Sequence, residues 1–226
     1  MSQAGGPSLH TRVEEMDWLR GLAILGVIMI HVSATMVLER PTLLGMMANQ
    51  LGRFAVPAFL FLSGLGLSLS KRPYPGYPRF VLYRLGRIFP AYVLWTVIHL
   101  LVWSRGGRHL TPAMVLRAIW EGTGYYHLYF IPLIVHFYLL YPLLRPFLRQ
   151  TKGLVISLII TLVAQVIANY LYRPSWLHIR DPRNILTGLF YFALGVWCAD
   201  RVALLKSDRR TLWNVLVTMA GVGLVA

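Results

Sequence analysis

The chain has 226 residues, 57% of them hydrophobic and only 13% charged, with a formal net charge of +14 and a mean hydropathy of +0.58. A soluble domain carries about 25% charged residues, so this composition points to a bilayer and excludes an ordinary soluble enzyme. The 22 Lys and Arg lie between apolar runs and not on one soluble patch, which argues against a nucleic-acid partner. The single cysteine, Cys198, excludes an internal disulfide and a CxxC metal or redox pair.

Seven apolar runs follow in chain order: Leu19–Val37, Phe54–Leu69, Ile88–Trp103, His127–Leu144, Leu154–Tyr172, Ile185–Ala199 and Leu212–Ala226. A spanning helix needs roughly 20 residues. The shorter runs are therefore expected to borrow flanking residues, with arginines reaching to the interface. The expected fold class is all-α, a polytopic transmembrane bundle of about seven spanning helices. Residues 1–18 form a cytoplasmic tail and residues 19–226 one transmembrane domain. With the N-terminus inside, the cytoplasmic segments hold fourteen Lys and Arg and the outer loops eight, as the positive-inside bias requires. The first 18 residues show no cleavable signal pattern. The longest hydrophilic stretch, Ser104–Tyr126, falls outside the membrane. The seventh run closes on GVGLVA without a stop signal, so a chain incomplete at its C-terminus is expected.

The first run, MDWLRGLAILGVIMIHVSAT at 16–35, carries ionisable groups where they are rare and default to functional candidates. Arg20 sits at the inner boundary. His31 follows eleven residues later, about 16 Å along a helix at 1.5 Å per residue and just past the midplane. Eleven residues are close to three turns, so Arg20 and His31 share a face with Ile24, Val27 and Thr35, expected to look into the bundle. Asp17, three residues before Arg20, is placed to orient its guanidinium or cap the helix. The alternative is a neutral histidine hydrogen-bonded to a neighbouring helix for packing.

In FLFLSGLGLSL, Ser63 and Gly64 suit close helix approach. In YRLGRIFP at 83–90, Arg84 and Arg87 share a helix face at the cytoplasmic boundary, near Lys71, Arg72 and Arg79. Guanidinium forks bind phosphate oxygens bidentately, so this cluster suits a polyanion. The alternative is a basic loop touching anionic lipid headgroups. In YYHLYFIPLIVHFYLLYPLL at 125–144, His127 lies at the outer boundary and His136 near the middle, on roughly opposite faces. Pro57, Pro132 and Pro142 break or kink apolar runs. No HExxH, GxSxG or Walker motif occurs, so no metal site, nucleophile elbow or nucleotide hydrolysis is expected.

Five blocks in order resemble the acyltransferase 3 family of multi-pass membrane acyltransferases. They are MDWLRGLAILGVIMIH at 16–31, FAVPAFLFLSG at 54–64, RLGRIFPAYVLW at 84–95, HLYFIPLIVHFYLLYPLL at 127–144 and LFYFALGVW at 189–197. Arg20 and His31 match the family's Arg-x10-His spacing, and Arg84 and Arg87 its Arg-x2-Arg pair. Tyr129 stands where the family block usually has tryptophan. The family usually has about ten spanning helices.

The resemblance implies acyl transfer from acyl-CoA, such as acetyl-CoA, to a hydroxyl of a surface polysaccharide or lipid-linked glycan. The first block looks closest to bacterial surface-polysaccharide O-acyltransferases of the plasma or inner membrane. It implies no permanently bound cofactor. His31 would be the general base or, alternatively, an acyl carrier. Arg20, Arg84 and Arg87 would hold the donor, with Asp17, Ser63, His127 and Tyr129 along the substrate path. Two competing readings are a glycan or lipid transporter or flippase, and a non-catalytic truncated fragment.

Overall fold

A computed structural model describes residues 14–39, 42–70, 76–106, 109–125, 127–170 and 184–201. Among them the chain is all-helical: α1 Glu14–Glu39, α2 Leu43–Gly52, α3 Ala55–Leu69, α4 Tyr77–Ser104, α5 Pro112–Glu121, α6 Phe130–Leu148, α7 Thr151–Tyr170 and α8 Ile185–Ala199. Five stretches are long and apolar enough to cross a membrane: Met16–Ala34, Leu43–Leu69, Tyr77–Ser104, Phe130–Leu148 and Thr151–Ala168. The expected runs one to six appear as α1, α3, α4, α6, α7 and α8. Run seven, Leu212–Ala226, lies outside the described residues, as do Lys71 and Arg72.

Two runs borrow flanking residues as their lengths demanded. Run two is extended by α2 into the Leu43–Leu69 stretch, so Arg53 sits at the α2–α3 bend and not in an outer loop. Run three starts at Tyr77, which puts Arg79, Arg84 and Arg87 on the first turns of α4. The hydrophilic Ser104–Tyr126 stretch contains a helix of its own, α5. Thr111 caps it by accepting from the Met114 N–H, and Gly122, in the left-handed region at φ 70°, ends it.

The centre of the bundle is α8, whose buried face meets α3 and α6. Phe137 and Phe192 stack at 4.6 Å between ring centroids, with Leu60, Tyr141 and Val196 packed around them. α3 and α8 approach until backbones touch. A Cβ on Gly64 would strike the Phe192 carbonyl oxygen, and one on Gly195 the Phe61 carbonyl oxygen. Small residues permit that approach where lipid gives no hydrophobic drive for helix association. Thr161 of α7 donates its hydroxyl to the Leu186 carbonyl at 2.9 Å and accepts from the Phe190 N–H at 3.0 Å, fastening α7 to α8.

α1 packs through a seam of Leu19, Ala23, Gly26 and Ser33, all buried. Phe54 and Ala55 press against Gly26, and Asn49 of α2 donates to Ser33 Oγ at 3.3 Å. This seam, and not the Arg20–His31 stripe, is the interior face of α1. Arg20 and Ile24 are exposed and Val27 and His31 half-buried. The physical reason is size: Ala23, Gly26 and Ser33 are small enough for α2 and α3 to lie against them, and the polar stripe one step round is left along an open side.

Candidate active site

Two clusters of polar side chains lie along that open side, one at each end of α1. At the N-terminal end, Asp17 Oδ1 accepts from Arg20 Nη1 at 2.7 Å, both side chains being more than a third exposed. Such a pair contributes about 0.3–1 kcal/mol, so its main effect is to aim the guanidinium. Arg20 Nη2 lies beside Gly66 of α3. On α4 the Arg84 guanidinium sits over Phe80 at 5.8 Å and over Tyr138 of α6 at 6.0 Å. Its Nε is buried with no hydrogen-bond partner among the described residues. Arg87 is exposed and donates to Tyr83 on its own helix at 3.2 Å.

Tyr138 is where these elements converge. Ser63 of α3 is hydrogen-bonded to its hydroxyl, and Arg84, Arg20 and Arg87 all act on it electrostatically. The sequence reading missed Tyr138. Its only signal was its position seven residues before Arg145 in an apolar run, which says nothing about four helices meeting there.

Three turns further along, His31 of α1 lies 5.5 Å, ring to ring, from His127 in the turn between α5 and α6. His99 of α4 stands edge-on to His127 at 5.7 Å. Tyr125 lies against His99 at 4.4 Å and against His127 at 5.2 Å. Three elements thus supply one ring cluster. His31 lies about one turn from the C-terminal end of its apolar stretch, Met16–Ala34. The turn reaches α4 because Gly124 has no side chain: a Cβ there would come within 2.6 Å of Thr96 Cγ2. α5 is tied to the same helix by Tyr92, which donates to the Ile119 carbonyl at 2.6 Å. Burial, followed by the neighbouring His31 and His99, pushes the His127 imidazole below its ordinary value.

His99 escaped the sequence reading although it is an ionisable group inside an apolar run, the same signal that picked out His31. His136 is exposed and turned back to the Pro132 carbonyl at 2.7 Å, on a different path from His127, as their spacing implied. Tyr129 is half-buried against Gly122, where a Cβ would come within 2.9 Å of its Cα, and no described contact joins it to the ring cluster. Burial raises its phenol above the ordinary value. Among the described residues no group of three His, Cys, Asp or Glu is arranged to hold a metal ion.

The arrangement is a cationic seat and an imidazole cluster on one helix face, separated by about 16 Å of helix axis. Residues 13–226 match the family model for the Acyl_transf_3 acyltransferase domain. The chain belongs to the acyltransferase 3 family. No curated protein and no solved structure matches it. It is therefore a multi-pass membrane acyltransferase by family, and its helices supply the spans that this requires.

Proposed function

We propose that this acyltransferase moves an acyl group, most simply acetyl, from acyl-CoA at its cytoplasmic end to a hydroxyl of a surface polysaccharide or lipid-linked glycan at its outer end. The observation that carries the reading is the separation of charge along α1. Guanidinium groups from α1 and α4 gather around Tyr138 at one end, and histidines gather around His31 at the other. A donor with a phosphate head and a long arm ending in a thioester matches that geometry. The head sits among Arg20, Arg84 and Arg87 and the arm runs along the open side of α1 towards His31. Asp17 holds Arg20 in place, and the unpartnered Nε of Arg84 has an acceptor once a phosphate oxygen arrives.

An alcohol attacks a thioester poorly until a base takes its proton. His31 takes the proton from the acceptor hydroxyl, and the oxygen forms its bond to the acyl carbon. The carbon–sulfur bond breaks, and the proton passes from the imidazolium to the departing thiolate. Neutral imidazole is the competent form at neutral pH. Direct transfer of this kind needs one imidazole within reach of both substrates, which the outer position of His31 provides for an acceptor arriving from outside.

The test is reconstitution in liposomes with labelled acetyl-CoA inside and a surface-polysaccharide extract outside. The intact chain is expected to label the glycan. His31→Ala is expected to lose transfer by about 10²–10⁴-fold while still inserting in the membrane, and His136→Ala to transfer normally. Normal transfer by His31→Ala refutes the assignment. Cargo that crosses with unchanged mass and no need for acyl-CoA means a transporter.

A further inference from the structure

The ring cluster contains more than the proposed base needs. Trp95 and His99 come from α4, and Tyr125 and His127 from the turn before α6. Trp95 lies 6.0 Å from His99, one turn earlier on the same helix. His99 Nδ1 meets the Trp95 carbonyl oxygen at 2.8 Å. A carbonyl only accepts, so Nδ1 carries the hydrogen and neutral His99 presents Nε2 as an acceptor. The result is a set of half-open aromatic faces with an imidazole acceptor among them, next to His31.

The electrostatics differ from those at the inner end. Among the described residues, His31 and His99 act on His127, whereas arginines act on Tyr138. A site for a phosphate or an anionic headgroup would resemble the Tyr138 cluster. Imidazoles, a phenol and an indole instead suit a ligand with apolar C–H faces and hydroxyl donors. A membrane-interface belt is also the wrong description. Trp120 on α5 is 84% exposed and Trp95 54%, but Trp95, His99, Tyr125 and His127 also meet ring to ring across α4 and the α5–α6 turn, which a belt does not require.

Resting on the acyl-transfer reading above, we propose that Trp95, His99, Tyr125 and His127 form the seat for an uncharged sugar ring of the acceptor, presenting one of its hydroxyls to His31. The ring's C–H face lies on Tyr125 and Trp95, and a second hydroxyl donates to His99 Nε2. Acceptor recognition then resides in α4 and the α5–α6 turn, apart from the donor arginines.

The test uses the full chain in nanodiscs, with a de-O-acylated neutral oligosaccharide from surface polysaccharide as the probe. Equilibrium binding of the labelled probe without acyl-CoA is compared for wild type, His99→Gln, Tyr125→Ala, Tyr125→Trp and His136→Gln. The discs are made with and without anionic lipid, and thermal unfolding checks that each variant is folded. His99→Gln and Tyr125→Ala are expected to weaken binding about tenfold, and Tyr125→Trp to retain most of it. His136→Gln should match wild type, with no dependence on anionic lipid. Where transfer is measurable, the same variants raise the acceptor KM and leave the acetyl-CoA KM within twofold. Equal probe binding by wild type, His99→Gln and Tyr125→Ala overturns the proposal, as does tighter binding of an anionic headgroup than of the sugar. Sugar binding that persists in a wild type with no transferase activity would retain the seat and refute the acyl-transfer reading.

Discussion

Arg84→Gln tests the donor seat more sharply than removal of Arg87. Arg84 is half-buried, its guanidinium beside Phe80 and Tyr138 and its Nε without a partner among the described residues. A hydrogen bond from such a group to a charged oxygen contributes about 1.5–3 kcal/mol, and each 1.36 kcal/mol is tenfold. Arg84→Gln is therefore expected to raise the acetyl-CoA KM by about 10- to 150-fold. Arg87 is exposed and already engaged with Tyr83, so it falls in the range of exposed ion pairs, about 0.2–1 kcal/mol, or about 1.5- to 5-fold. Arg84→Lys keeps the charge without the planar fork and should recover only part of the loss. The assay is initial-rate transfer at saturating acceptor, at low and high ionic strength. Added salt should shrink the Arg87 effect more than the Arg84 effect, because screening acts on exposed charge. An Arg87→Gln variant as impaired as Arg84→Gln, or full rescue by Arg84→Lys, would refute the geometry argued here.

Gly195→Leu should destabilise the bundle strongly, by at least the 1–3 kcal/mol typical of overpacking, because its Cβ meets the α3 backbone. Gly86→Ala, with open space around the Cβ, should be neutral or slightly stabilising, and thermal unfolding in detergent compares the two. His127 has a folded value below the ordinary imidazole value, so protonation is penalised in the folded protein. Its contribution to stability is full at pH above about 6.5 and falls as the pH drops through the lowered value. Unfolding followed between pH 7.5 and 5 should show that slope, and His127→Gln should flatten it.

The amino-acid sequence by itself determined the class and the end points of the Arg20–His31 stripe. Long apolar runs with few charges can satisfy their backbone only as helices in lipid, so α1, α4, α6 and α7 were legible from composition and length. The Arg20–His31 spacing fixed a common helix face because 3.6 residues per turn leaves no freedom over eleven residues. The Arg84–Arg87 pair followed from the same geometry, and Asp17 from its distance to Arg20. α2 and α5 were not legible as helices, because a run broken at Arg53 and a polar stretch lack the length that hydropathy detects.

What only the tertiary structure decided is which residues from different helices share a site. His99 and Tyr138 each sit in an apolar run whose periodicity gives no partner. They matter because the fold sets His99 against His127, and Tyr138 against Arg84 and Ser63. The close approach of elements depends on glycines. Gly64 and Gly195 let α3 and α8 touch, and Gly124 lets the α5–α6 turn reach Thr96. Each acts by having no side chain, so its effect depends on what lies opposite, which no local pattern in the chain records. The same cause turned the interior face of α1 from the Arg20–His31 stripe to the small-residue seam of Ala23, Gly26 and Ser33.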